Sequence, residues 1–313
     1  MLSTFAPATA NRGSITCKKF TIHLELETDS RISSFVTSTI RGGFGITLRK
    51  LVCPTIDMQC SQCLLRNNCV YCYLFETTPS PDSPRLKNYK SLPHPFTLWC
   101  RQDGNKAVLE LLLIGKAIQY LPYFIYTLRK LGSQGLGKER IPYRIVTALT
   151  GSTEVYADGS ESIIITFQPD TISFFQGDSL DGTCTLDFYT PMLLRRDGKF
   201  VDGFELYPFL STLVRRITSL YAIHCDGVNF DNCKDMLDSW MNSISVDANM
   251  TLEKNRRFST RQQKRIDYDG FTGTVTLTGN IGAVMPWLKA GEVLAVGKNT
   301  AFGFGRYGLM FVN

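Results

Sequence analysis

Between Lys19 and Glu27 the chain alternates strictly, with Phe20, Ile22, Leu24 and Leu26 apolar and Thr21, His23, Glu25 and Glu27 polar. Period-two alternation is the signature of a strand with one face buried and one face open. This strand opens a series of six elements whose order constrains the fold more than any other feature. Ser33 to Leu51 reads as a helix carrying Phe35, Ile40, Phe44 and Leu48, although the Gly42-Gly43 pair weakens it and implies close packing. Phe96–Cys100 and Lys106–Ile114 read as strands joined through Asp103-Gly104-Asn105, a strong hairpin signal. Ala117–Leu131 returns to helical spacing, Gly132-Ser-Gln-Gly-Leu-Gly137 breaks it, and Tyr143–Leu149 closes as a strand. The order β-α-β-β-α-β is that of a ferredoxin-like unit.

The second half repeats the order. Thr183–Leu194 reads as a strand and Phe204–Ile223 as a helix, followed by a polar insertion, Asp226–Asn249, that contains Trp240. Thr251–Ser259 and Phe271–Thr278 are the next strands, Ala283–Ala290 a short helix, and Tyr307–Val312 the last strand. The expected fold is α+β: two tandem ferredoxin-like (RRM-like) domains at 1–150 and 183–313. A bridging segment at 151–182 is expected to add strands, and a cysteine-rich insertion at about 53–95 interrupts the first domain.

That insertion holds Cys60-x2-Cys63-x5-Cys69-x2-Cys72, with Cys53 seven residues upstream and a proline-rich stretch (Pro79, Pro81, Pro84, Pro93, Pro95) after it. Two CxxC pairs are the spacing of tetrahedral thiolate coordination, so a structural zinc is expected over an iron–sulfur cluster, with reduced, uncoordinated thiols as the competing reading. Which four of the five cysteines bind is left open by spacing. Ten cysteines without a secretory signal argue against a disulfide framework, and the longest apolar stretch, Val108–Gly115, is interrupted by Glu110 and far too short to span a bilayer. A cytoplasmic protein is the expectation.

The formal net charge of +6 is unevenly spread. Lys254, Arg256, Arg257, Arg261, Lys264 and Arg265 follow one another with no acid between them, Arg195, Arg196 and Lys199 form a second group, and Arg215-Arg216 a third. A solvated face explains one such run; three, with the C-terminal Gly297-Lys-Asn-Thr-Ala-Phe-Gly-Phe-Gly-Arg-Tyr-Gly308, point to a polyanionic partner. Glycines permit close backbone approach, and interleaved cations and rings suit phosphates and stacked bases. Familiar enzyme motifs fail. Gly297-Lys298-Asn299 lacks the upstream spacing and the Ser or Thr of a phosphate-binding loop, and Gly303 and Gly305 precede a strand, unlike a dinucleotide fingerprint. The three histidines, His23, His94 and His224, are not at metal-ligand spacing, and no Gly-x-Ser-x-Gly elbow occurs. RNA cleavage by its own 2′-hydroxyl needs no metal, only in-line positioning, a base, an acid and a cation.

Six segments, in collinear order over nearly the whole chain, carry a family resemblance. They are Arg41-Gly-Gly-Phe-Gly45, Cys69-Val-Tyr-Cys-Tyr-Leu-Phe-Glu76, Gly115-Lys-Ala-Ile-Gln-Tyr-Leu-Pro-Tyr-Phe124, Leu131-Gly-Ser-Gln-Gly-Leu-Gly-Lys138, Phe258-Ser-Thr-Arg-Gln262 and Val296-Gly-Lys-Asn-Thr-Ala-Phe-Gly-Phe-Gly-Arg-Tyr307. Together they resemble the CRISPR-associated precursor-RNA-processing endoribonucleases of the RAMP superfamily, in the branch with a cysteine knuckle. The resemblance implies tandem ferredoxin-like domains, metal-independent cleavage of CRISPR repeat RNA to a 2′,3′-cyclic phosphate, and delivery of guide RNA to an interference complex. It also implies that the loop at Gly297, Lys298, Gly303, Gly305 and Arg306 contacts RNA.

Many members place a histidine on or near the first helix, and Ser33–Leu51 has none. His23 is the local substitute, since its phase puts it on the side of the sheet that would line a cleft between domains; a surface histidine without a role is the competing reading. Thr39, Arg41 and Arg49 could supply a proton relay and phosphate clamp, against capping or solvent roles. Lys254, Arg257, Arg261 and Lys264 are expected to contact RNA backbone, His224 ranks below His23 at a helix end, and Tyr120 and Tyr123 are expected in the core. Three readings follow: an endoribonuclease, a non-catalytic guide-RNA-binding subunit of the same superfamily, and a metal-knuckle scaffold for another protein.

Overall fold

The computed structural model describes residues 13–33, 35–77, 92–174, 177–227, 233–254, 256–259, 264–267 and 269–311. The first unit runs β1 (Ser14–Leu26), α1 (Val36–Val52), α2 (Val70–Phe75), β2 (Phe96–Asp103), β3 (Lys106–Ile114), α3 (Leu121–Gln134) and β4 (Tyr143–Thr150), followed by β5 (Thr153–Ala157) and β6 (Asp170–Ser173). The sheet order is β2-β3-β1-β4-β5, and β6 pairs with the start of β1. The first four strands therefore have the ferredoxin-like order, and the bridging segment does add strands, to the first sheet.

The second unit runs β7 (Gly182–Met192), the small hairpin β8 (Arg195–Arg196) and β9 (Lys199–Phe200), α4 (Leu206–His224), α5 (Cys233–Ser243), β10 (Ile244–Glu253), β11 (Arg256–Ser259), β12 (Lys264–Asp267), β13 (Gly270–Gly279), α6 (Ile281–Leu294) and β14 (Tyr307–Phe311). Its sheet order, β10-β13-β7-β14, repeats that of the first unit. The fold is α+β, with two tandem ferredoxin-like units and the cysteine-rich insertion in the first.

Helix α1 forms because Val36, Ile40, Phe44 and Leu48 fall four residues apart and bury one stripe. Two glycines of Arg41-Gly-Gly-Phe-Gly45 serve that packing: a Cβ on Gly43 would meet Leu131 of α3, and one on Gly45 would meet the Phe75 ring of α2. Arg41 and Arg49, one turn either side of Gly45, lie over Phe75 (4.9 Å) and Tyr71 (5.7 Å), whose rings stack at 5.2 Å.

The faces of β1 divide the molecule. Phe20, Ile22, Leu24 and Leu26 belong to the first core, while Ile15 and Cys17, with Leu112 and Ile114 of β3, belong to the second. One end of the outward face of the first sheet is thus sealed by the second unit, and the rest, including His23, faces outward beyond that seal.

Two expectations in the second unit are corrected. Asp226–Asn249 is not a polar insertion: α5 buries Leu237 and Trp240, and β10 starts at Ile244. The strand expected at Thr251–Ser259 is the end of β10 plus β11. β10 pairs with β13 from Ile244↔Gly279 to Glu253↔Gly270, and β11 continues with β12 from Arg256↔Asp267 to Ser259↔Lys264 in the same register. Together they are one long ribbon. β10 is exposed along most of its length, which removes the alternation that betrays a strand. Among the described residues no helix is long and apolar enough to cross a membrane.

Candidate functional site

The C-terminal glycine loop and the start of α1 both lie along the outer edge of β2. Thr37 Oγ1 accepts a hydrogen bond from the Cys100 amide (2.9 Å) and donates one to the Cys100 carbonyl (3.3 Å), covering the edge strand. The loop is tied to the end of β7 and the residue after it: the Lys298 amide donates to Leu193 O (2.9 Å), Gly305 to Pro191 O (2.9 Å), and Arg306 to Thr190 Oγ1 (2.8 Å). Gly297, Gly303 and Gly305 have φ of +96°, +92° and +70°, and a Cβ on them would press on the carbonyls of Leu193, Leu98 and Val296 respectively. Phe302 and Phe304 are buried and pack on Phe35, the residue preceding α1. The glycines and rings expected to cradle RNA are therefore spent on the loop's own packing. Lys298 is the exposed cation of the loop.

Lys298 has company. Burial and then Arg195 and Arg215 hold its pKa below the ordinary lysine value, and none of the three cations has an acidic partner among the described residues. Backbone tethers explain the convergence. Lys298 is bonded to Leu193, two residues before Arg195. Arg216, next to Arg215, donates to Leu294 O and Ala295 O (2.8–3.0 Å) just before the loop. Arg216 is thus a buried cap on α6, not the surface cation expected from the Arg215-Arg216 pair. Cations near one another without an acidic partner favour an anion.

Arg306 has another task. It donates to Glu110 Oε2 (2.6 Å) and Tyr189 Oη (3.2 Å) and lies 4.4 Å over the Trp99 ring, joining the loop to the outward face of the first sheet. Burial works against the Glu110 carboxylate, yet bonds from Arg306 and Lys19 outweigh it and keep its pKa below the ordinary value.

The four expected catalytic residues do not meet. Thr39, Arg41 and Arg49 are on α1, packed against the core side of the first sheet, while His23 is on the opposite side. Thr39 shares a hydroxyl hydrogen bond with Ser33 (3.0 Å), and Arg41 Nη2 donates to His94 Nε2 (3.1 Å). Arg49 Nη2 donates to Ile56 O (2.8 Å) and Met58 O (3.0 Å), holding the insertion about 12 Å along the helix from Arg41.

Two histidines are consumed by the fold. His94 Nδ1 donates to Leu74 O (3.0 Å), leaving Nε2 to accept from Arg41. His224 Nε2 donates to Pro93 O (3.0 Å) and Nδ1 accepts from Tyr73 Oη (3.1 Å), bracing α4 against the insertion. His23 makes no hydrogen bond or ion pair among the described residues; it faces Val108 on one side and Thr147 on the other. Tyr120 is half-buried and packs against the first core, whereas Tyr123 is exposed and is not the core residue expected.

Cys53, Cys60, Cys63, Cys69 and Cys72 line one cavity of about 220 Å³ together with Val52, Met58, Leu65 and Tyr123. Among the described residues no group of three or more His, Cys, Asp or Glu is arranged to hold a metal ion, so the expected zinc or iron–sulfur site is not supported. Burial, then the neighbouring Cys69 and Cys60 thiols, push the Cys72 thiol well up. Pro79, Pro81 and Pro84 lie outside the described residues.

Lys254 is exposed at the end of β10, and Arg257 and Lys264 belong to the paired strands of the ribbon's tip; Arg261 lies outside the described residues.

Residues 15–166 match a family model described as an N-terminal domain, and residues 186–307 match that of the CRISPR-associated endoribonuclease Cas6. The second unit thus carries the match to Cas6. An uncharacterized protein of Archaeoglobus fulgidus is 25% identical over 283 residues, covering 87% of this chain and 90% of that one. Among solved structures, a Cas6 product complex overlays with a TM-score of 0.57 at 15% identity, covering 94% of this chain and 99% of that one. Thermus thermophilus Cas6 gives 0.51 at 15% identity, over 95% and 99%. A partial Cas6-RT-Cas1–Cas2 complex gives 0.54 at 11%, over 95% of this chain and 46% of that one. At these identities the likeness shows the shared fold.

Proposed function

We propose that this chain cuts CRISPR repeat RNA into guide RNAs in the cytoplasm without a metal ion, leaving a 2′,3′-cyclic phosphate. The observation that carries the reading is the Cas6 match of residues 186–307, whose glycine loop is tied by the Lys298 amide to Leu193, two residues from Arg195. In such a reaction the 2′-oxygen loses its proton and attacks the adjacent phosphorus, and the 5′-oxygen leaves with a proton. Negative charge grows on the non-bridging oxygens, where fixed cations stabilise the transition state. The basic ribbon supplies further sequence-independent attraction for the RNA backbone. His23 is the candidate for proton transfer. It is the histidine not used by the fold, and Glu110, which holds Arg306 of the loop, is its diagonal cross-strand neighbour at about 7–8 Å.

A second reading is a non-catalytic subunit that holds guide RNA. It is favoured by the separation of His23 from Thr39, Arg41 and Arg49. Both readings accommodate transfer of the RNA to a CRISPR interference complex, and a structural relative is itself part of a Cas6-RT-Cas1–Cas2 assembly.

Incubating the protein with its neighbouring repeat RNA in EDTA separates the two. A single cut with a cyclic phosphate end supports the enzyme; tight binding of RNA that stays intact supports the subunit. His23→Ala is expected to slow cleavage by about 10²–10⁴-fold at unchanged affinity. An unchanged rate removes His23 from the mechanism.

A further inference from the structure

The outward face of the first sheet carries a stack that the cleavage reading leaves unused. Trp99 on β2 is half-buried, with the Arg306 guanidinium 4.4 Å and the Arg101 guanidinium 4.6 Å from its ring centroid. Arg306 is also 5.7 Å from the Tyr189 ring, which lies 5.8 Å from the indole at an interplanar angle of 60°. The members differ in what they have left to offer. Arg306 is immobilised by Glu110 and Tyr189. Arg101 is exposed and its guanidinium makes no hydrogen bond or ion pair among the described residues, so its fork of donors is free while its plane is already positioned. Tyr189 comes from β7 of the other unit and is 46% exposed.

Aromatic planes interleaved with guanidinium planes, with free donors at one end, suit a ligand that has a π face and an adjacent anion. An unpaired nucleotide has both. A duplex keeps its base faces stacked inside and presents mainly backbone. Register adds position: Arg101 pairs with Val108 and Val108 with His23, so Arg101 stands about 10 Å from His23 on the same face.

We propose that Arg101, Trp99 and Tyr189 form a stacking site for an unpaired nucleotide of the RNA, with Arg101 binding its phosphate. This inference rests on the reading of the chain as an RNA-binding protein. Trp240 and Trp287 are 1% and 0% exposed, so quenchable tryptophan emission reports on Trp99.

The test titrates the full chain with a single-stranded decauridylate and with the same chain made abasic, following tryptophan fluorescence and anisotropy, with the repeat RNA in parallel. The decauridylate is expected to bind and quench, and the abasic chain to bind at least tenfold more weakly. Arg101→Ala and Tyr189→Ala should each weaken decauridylate binding about tenfold at wild-type melting temperature, while Tyr189→Phe retains it. Equal binding of the abasic chain, absence of quenching, or unchanged affinity in both alanine variants overturns the site. If the repeat RNA is still bound and cut in that case, only the stacking site fails; if no RNA binds, the underlying reading fails with it.

Discussion

Gly305 shows how a residue chosen for one reason can be mistaken for another. Its φ of +70° and the carbonyl of Val296 beside it leave no room for a side chain, whereas Gly308, two residues beyond Arg306, has nothing within 4 Å. Gly305→Ala should cost at least about 1–3 kcal/mol of backbone strain, while Gly308→Ala should stay within about 0.5 kcal/mol of wild type. Urea midpoints measure both, and equal effects would contradict the packing role. The buried histidines make a second residue-level prediction. Burial, then Arg41, lowers the His94 pKa to about 3, and burial takes that of His224 to about 4. An unfolded chain protonates both near 6.5, so between these values the unfolded state binds more protons. Stability held above pH 6.5 is therefore lost as the pH falls toward 4. Melting temperature should drop across that window, and His224→Asn, which cannot titrate there, should flatten the drop; a variant with the wild-type slope would contradict the assignment.

At the scale of elements, the basic ribbon is the clearest separable device. Its β10–β13 part is anchored in the second sheet, and β11–β12 extends it in register. Replacing residues 256–267 by a two-residue turn should leave the melting temperature nearly unchanged, weaken repeat-RNA binding, and make the dependence of log affinity on log salt shallower. An unchanged salt slope would remove the ribbon from the interface. The first β-α-β-β-α-β run was legible because α1 and α3 bury one stripe each and β1 alternates over the part that faces a single core. β10 was not, because an edge strand exposed on both sides has no alternation to read. α5 was missed because only Leu237 and Trp240 of its residues are buried. In the candidate site, glycines and cations were legible as residue types. Which atoms come close to the glycines was not, since a backbone carbonyl such as that of Val296 beside Gly305, or of Leu98 beside Gly303, leaves no mark in local sequence. Arg216 and Arg306 were misread for the same reason: their partners, Leu294, Ala295 and Glu110, are distant in the chain.

At the scale of the whole molecule, the two units are joined by more than a linker. Ile15, Cys17, Leu112 and Ile114 of the first sheet pack in the second core, Arg306 reaches back to Glu110, and His224 is bonded to the insertion of the first unit. The outward face that remains holds His23, Arg101 and Trp99 close to the loop that carries Lys298. On the proposed reading this surface promotes attack by the RNA's own 2′-hydroxyl. Single-turnover cleavage of the repeat RNA in EDTA should therefore be compared with cleavage of the same RNA carrying one 2′-deoxy nucleotide at the cut. Equal binding of both, a single cut in the first and no cut in the second are expected. Cleavage of the deoxy substrate at the same position and rate, or tight binding with both RNAs left intact, would contradict the reading.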